Sequence, residues 1–297
     1  MPACGLLGSR PMGQAPHAIS VDLDLADSIA RLRAISALER ATLADYDGSM
    51  EQVPKQYTKP PIVEAIIDIR VRGVPQMDAA DIESRFSDMR PQFPSGKVIR
   101  QAAVNLDGTA YPLKVSAAEQ CTGIMFSSTD GKTSFSARND GFSFHRLAPY
   151  PGWSELRSAA KELWQQYCRA VSLPSIARVA LRYLNRIDLP GPISDVGKYL
   201  ANSPQVAAGT PGELAGYFMQ LALAQKDIGC IAIINQAMIP PVIPGTTAVL
   251  VDIEVSMDEP ILPQDADRLW GVIETLRERK NALFESGITA SARELFK

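Results

Sequence analysis

The stretch Pro60–Arg72, PPIVEAIIDIRVR, decides how the rest of the chain is read. Val63, Ala65, Ile67, Ile69 and Val71 share one side of an extended backbone, and Glu64, Asp68, Arg70 and Arg72 share the other. Successive strand side chains point to opposite faces, so this period predicts a strand with one buried face. The same design returns in IARVALRYLNRIDLP, Ile176–Pro190, the longest alternation in the chain. There Val179, Leu181, Tyr183 and Ile187 oppose Arg178, Arg182, Arg186 and Asp188. It returns again in TAVLVDIEV, with Val249, Val251, Ile253 and Val255 inward and Asp252 and Glu254 outward.

Between these strands lie the signals that connect them. Asp107-Gly108, Asp130-Gly131 and Asp140-Gly141 are tight-turn dipeptides, because glycine accepts the positive φ that a two-residue hairpin requires. Residues 98–147 therefore read as an antiparallel meander of four or five strands. Asp78 can cap a helix carrying Ile82, Phe86 and Met89. A longer helix spans about Ser154 to Val171, with Leu156, Ala160, Leu163, Trp164 and Tyr167 on one stripe. After Pro263 a third carries Leu269, Trp270, Ile273, Leu276, Leu283 and Phe284. Ser291 and Glu294 have capping-box spacing for a short final helix. CIAIINQAM is a further strand, and residues 193–227 are ambiguous apart from a short helix near Val196–Leu200.

Hairpin-linked strands with few intervening helices argue against a doubly wound parallel sheet. The expected fold is α+β: a large curved antiparallel sheet, open or barrel-like, with two or three long helices packed on it. Strand–helix–meander–helix followed by strand–meander–helix hints at a duplication. Residues 57–297 form the expected single domain. Residues 1–56 read as an extension that is partly disordered, with one helix over Asp27–Tyr46 and a linker rich in Gly and Pro. Met50 just precedes the regular part and offers an internal start.

Composition excludes several classes. The 297 residues carry a net charge of -3, with 46% hydrophobic and 7% aromatic residues. There is no overall positive field and no basic run with interleaved aromatics, so nucleic acid is not the expected partner. No stretch approaches the ~18 apolar residues of a membrane span, and no secretory signal opens the chain, so a cytoplasmic protein is expected. Cys4, Cys121, Cys168 and Cys230 are scattered and the only histidines are His17 and His145, which argues for free thiols and against a zinc site. A carboxylate-bound magnesium ion needs neither residue type.

Three segments carry a resemblance: KPPIVEAIIDIRV, ARVALRYLNRIDLP and NALFESGITASARELF. Together they resemble a sporadically distributed prokaryotic family of unknown function. Its members open on a Pro-Pro-hydrophobic-Val-Glu-Ala strand and contain an Arg-Tyr-hydrophobic-Asn-Arg-Ile strand. The resemblance runs from Tyr57 to Phe296 and implies no activity, cofactor or catalytic residue.

No GxSxG, HExxH or GxGxxG occurs. Gly131-Lys132-Thr133 lacks the glycine a phosphate loop needs five positions earlier, where Phe126 stands, and lies in a strand–turn–strand pattern. His145, at a strand end, suits a surface or hydrogen-bonding role better than a catalytic one. The last long helix places Arg268, Arg277, Arg279 and Lys280 near its apolar stripe, as a solvated rim or as a docking surface.

The charged strand faces remain. Read plainly, they are the wet side of a half-buried sheet. Under a sharper reading they form a ligand groove: Glu64, Asp68, Arg70, Arg72, Arg178, Arg182 and Arg186 bind phosphate oxygens, and Asp252 and Glu254 hold magnesium. The order of these features is similar to that of the triphosphate tunnel enzymes, but their Glu-x-Glu-x-Lys strand is replaced here by Glu64-x-x-x-Asp68-x-Arg70. The first expectation is accordingly a binding or interaction protein without a catalytic motif, engaging a protein partner or a second copy. The alternative is a phosphate- or nucleotide-binding, metal-dependent phosphohydrolase.

Overall fold

The computed structural model describes residues 57–107, 114–171, 175–192, 195–212, 214–262 and 265–297. The helix expected over Asp27–Tyr46, the linker up to residue 56, Met50, Cys4 and His17 lie outside them.

The described strands are β1 (Ile62–Arg72), β2 (Ser95–Asp107), β3 (Lys114–Ser127), β4 (Thr133–Arg138), β5 (Gly141–Leu147), β6 (Ser175–Leu189), β7 (Phe218–Gln225), β8 (Cys230–Ile239) and β9 (Thr247–Met257). The helices are α1 (Ala79–Arg85), α2 (Trp153–Ala170), α3 (Ala266–Gly287) and α4 (Ala290–Glu294). The fold is α+β, with nine strands in one antiparallel sheet of order β2-β3-β4-β5-β1-β6-β9-β8-β7. β2 and β7 are its two edges, so the sheet is open and does not curve into the barrel that its alternation allowed.

The order exposes a duplication. In each half the first strand pairs with the last strand of its own meander, β1 with β5 and β6 with β9. The two first strands then pair antiparallel with each other, joining the halves at the centre of the sheet. Each half closes with its long helix on the same apolar face, α2 against β5 and α3 against β6 and β9.

That face holds the core. In the first half Phe86, Phe126, Phe135, Phe142, Trp164 and Tyr167 form a buried aromatic cluster. Phe126 and Phe135 stack with centroids 5.0 Å apart, and Tyr167 spends its hydroxyl on the Arg138 carbonyl at 2.8 Å. Aromatic pairs of this kind add about 0.5–1.5 kcal/mol to area burial. In the second half Trp270, Ile273 and Leu276 of α3 are buried, as are Tyr183, Ile187, Val249, Val251 and Ile253 of the sheet.

Local chemistry accounts for the boundaries. Asp78 caps α1 in a reciprocal box with Asp81. The β3–β4 hairpin turns on Gly131 at φ +67°, and Asp130 accepts from the Lys132 amide at 3.0 Å, so Gly-Lys-Thr here is a turn. At α4 the expected Ser291–Glu294 box does not form. The helix starts earlier, and Thr289 Oγ1 caps it by accepting from the Ala292 amide. β7, FMQLALAQ, lies in the region the sequence left ambiguous: its Met, Leu, Ala and Gln favour a helix, and pairing with β8 makes it a strand. Among the described residues no helix is long and apolar enough to cross a membrane.

Candidate functional site

The face opposite the helices collects the charges. Cross-strand register puts Arg70 beside Arg178, Ser143 beside Asp68, Arg182 beside Glu254, and Asn235 beside Asp252. Period two sends these side chains away from the core, while the sheet order decides which of them meet.

Asp68 is the hub of one cluster. It accepts from Arg138 Nη2 at 2.6 Å and Arg70 Nε at 3.0 Å, with Arg178 at 3.9 Å. Burial alone would raise its pKa. The guanidiniums of Arg138, Arg70 and Arg178 outweigh burial and hold the carboxyl below its ordinary 3.8. Arg178 also reaches Glu254 at 2.5 Å, while Asp140 bonds Arg70 and Arg138. A second cluster centres on Asp252, which is 4% exposed although it lies on the charged face. The Arg182 fork bonds it through Nε at 2.8 Å and Nη2 at 2.7 Å. Asn235 Nδ2 adds a third bond at 3.1 Å and is itself bonded by Gln220 at 2.8 Å. The bond to Asp252, with the fields of Asp252, Glu254 and Glu64, raises the Arg182 pKa against the opposing effect of burial.

The remaining anticipated residues stand apart. Arg186 bonds Asp188 at 3.0 Å and the Pro240 carbonyl at 3.3 Å, toward one end of β6. Arg72 is exposed at the end of β1, and its side chain joins neither cluster. Asp252 and Glu254 are each taken by a different arginine. Among the described residues no group of three or more His, Cys, Asp or Glu side chains is placed to hold a metal ion.

A third cluster was not legible. Glu64 Oε1 lies 2.9 Å from His145 Nδ1, and His145 Nε2 lies 2.9 Å from Ser143 Oγ. Arg138 Nη1 is 3.4 Å from the same Oγ. The signal was present as alternation in GFSFHRL, where Ser143 and His145 fall between Phe142, Phe144 and Arg146. Only the β1–β5 register brings them to Glu64.

Behind the sheet, one residue departs from its expected place. Lys280, one of the cations near the apolar stripe of the last helix, is 7% exposed and does not belong to a solvated rim. Its Nζ sits 3.8 Å from the Tyr183 ring centroid, and Tyr183 shares a 3.0 Å hydroxyl contact with Tyr150. Among the described residues no acceptor or carboxylate bonds this ammonium. Burial first, then the Arg277 charge, bring its pKa down to about 7, with Glu285 opposing. The other basic residues of α3 do meet partners: Arg279 bonds Asp227, Arg268 bonds Glu259, and Arg277 lies over Trp153 at 5.2 Å. Cys121, Cys168 and Cys230 form no disulfide, and burial raises the thiols of Cys168 and Cys230 to about 11, far from nucleophilic.

No protein-family model matches this chain, and no curated protein matches it.

Proposed function

We propose that the chain is a cytoplasmic binding protein that recognises a protein partner or a second copy through the charged sheet face. The supporting observation is the convergence of Arg138, Arg178, Arg182, Asp68, Asp252 and Glu254 from four strands onto the face without helices, each already oriented by a pair of opposite charge. Such an array is matched in charge. A polypeptide carrying both signs can exchange pairs with it one for one, keeping every desolvated charge partnered. Membership of the prokaryotic family resembled in sequence belongs to the same proposal, since the quoted segments are β1, β6 and the end of α3 with α4.

The test is binding of mixed-charge peptides by fluorescence anisotropy at low and high salt. Binding that weakens with salt and is lost in Arg182→Ala and Asp252→Asn is expected. Peptides bound equally by all three proteins would remove the charged face from the reading.

A phosphate- or nucleotide-binding protein with magnesium is the second reading, supported by the arginines of β6. It places the ligand against Asp68, Asp252 and Glu254, whose charge it would have to displace. ATP or tripolyphosphate with magnesium would then raise the melting temperature of the wild type and not of Arg178→Ala/Arg182→Ala. An unchanged melting temperature at millimolar ligand is the expected result.

A further inference from the structure

We infer that Ser143, His145 and Glu64 form an acyl-transfer site on the charged face, an activity that goes beyond ligand recognition. Glu64 as a carboxylate can only accept, so its 2.9 Å contact places the imidazole proton on His145 Nδ1. Nε2 is then left with its lone pair directed at Ser143 Oγ, also at 2.9 Å, and the hydroxyl donates to it. A nucleophile bonded to a base, and the base held by a third group, is the arrangement that activates a serine. It is recognised by geometry, because its members need no fixed order or spacing in sequence.

Two features turn the relay toward carbonyl chemistry. Arg138 Nη1 donates to Oγ at 3.4 Å, which sets a positive charge beside the nucleophile, where the tetrahedral intermediate would form. Arg138 is itself anchored by Asp68 through Nη2, so its charge is held in place beforehand. Ser143 is 1% exposed, and the groups bonded to its hydroxyl are the side chains of Arg138 and His145. A substrate reaches Oγ only if these side chains yield, so labelling of Ser143 also reads access to it.

The substrate class is an activated ester. Oγ attacks the carbonyl carbon as its proton passes to His145 Nε2, and the resulting oxyanion faces Arg138. Collapse breaks the bond to the leaving oxygen, which takes the proton from Nε2 and departs as an alcohol. Water then attacks the acyl-serine and gives its proton to Nε2. The acid leaves, and Nε2 returns the proton to Oγ.

The full chain, incubated with p-nitrophenyl acetate and separately with a fluorophosphonate, tests this by intact mass and peptide mapping. One adduct on Ser143 is expected, with a burst of p-nitrophenolate. Labelling should fall on the order of 100-fold in His145→Gln and by less in Glu64→Gln, and it should vanish in Ser143→Ala. Adducts confined to other residues, or equal labelling in Ser143→Ala, would overturn the proposal. Ser143→Cys guards against a folding defect in the alanine variant. Its thiol should alkylate with iodoacetamide faster than the Ser143→Cys/His145→Gln thiol, and equal rates would also refute the relay. Because no peptide takes part, failure here leaves the recognition proposal standing, and failure of peptide binding leaves this one standing.

Discussion

The two faces of the sheet treat charge in opposite ways. On the open face, the arginines and carboxylates of the two clusters are partnered, and Asp68 alone meets three guanidiniums. On the helix face Lys280 is buried against the Tyr183 ring, and among the described residues no carboxylate or acceptor bonds it. Partnering, more than depth, decides which form of a titratable group survives. Asp68 stays ionised below its ordinary pKa, while Lys280 gives up its proton near neutrality.

The two faces should therefore respond to pH over separate windows. The largest effect is expected at Lys280. The unfolded chain binds its proton up to about pH 10.5 and the folded one only to about 7. The unfolded state therefore holds more protons between those values, and stability from this group rises with pH across that window and is lost as pH falls through 7. Lys280→Met should stabilise the protein by roughly 4–5 kcal/mol below pH 7, the free-energy equivalent of that shift. The gain should shrink toward pH 10.5. Urea unfolding at several pH values reads this, and a gain independent of pH would break the contrast between the faces.

Phe135→Ala, in the aromatic cluster of the same face, should cost about 3–5 kcal/mol at every pH, as core aromatic truncations do. A pH-dependent loss there would mean that the cluster is coupled to a titrating group.

On the open face, Arg138→Met should cost about 1–3 kcal/mol by leaving Asp68 with fewer donors. Asp68 contributes stability that is present above its ordinary 3.8 and lost as pH falls through its depressed value. Removing Arg138 should move that acid limb to higher pH. Acid titration followed by circular dichroism checks it, and an unmoved limb would detach Asp68 from Arg138. The smallest effect is expected for the Arg182–Asp252 pair. Arg182 is 41% exposed, so solvent screens the interaction and a double-mutant cycle with Arg182→Met and Asp252→Asn should give about 1 kcal/mol or less.

Alternation made β1, β6 and β9 readable, because a buried face forces period two on any strand that forms it. Asp-Gly placed the β3–β4 and β4–β5 turns, and apolar stripes placed α2 and α3. β7 escaped because an edge strand of Met, Leu, Ala and Gln carries helix-favouring residues and owes its form to β8. The charged residues of β1, β6 and β9 were identified as one polar face, but Arg138, Ser143 and Asn235 were not joined to them. Their partners come from strands far away in sequence, and no local spacing encodes that meeting. Lys280 shows the same limit on a helix: one position along α3 separates a solvated rim from the interior, and only the docking of α3 on β6 decides between them.

The sequence by itself determined the class of fold, the inward and outward sides of its strands, and the absence of closely spaced soft metal ligands. These follow from local backbone geometry and composition, which need no knowledge of neighbours. Tertiary structure decided that the sheet stays open, that Asp252 is sealed beneath Arg182, that Lys280 is buried, and that Glu64, His145 and Ser143 form a chain of hydrogen bonds. Each of these depends on register between strands or on helix docking, where a shift of one residue would send a side chain to the opposite face.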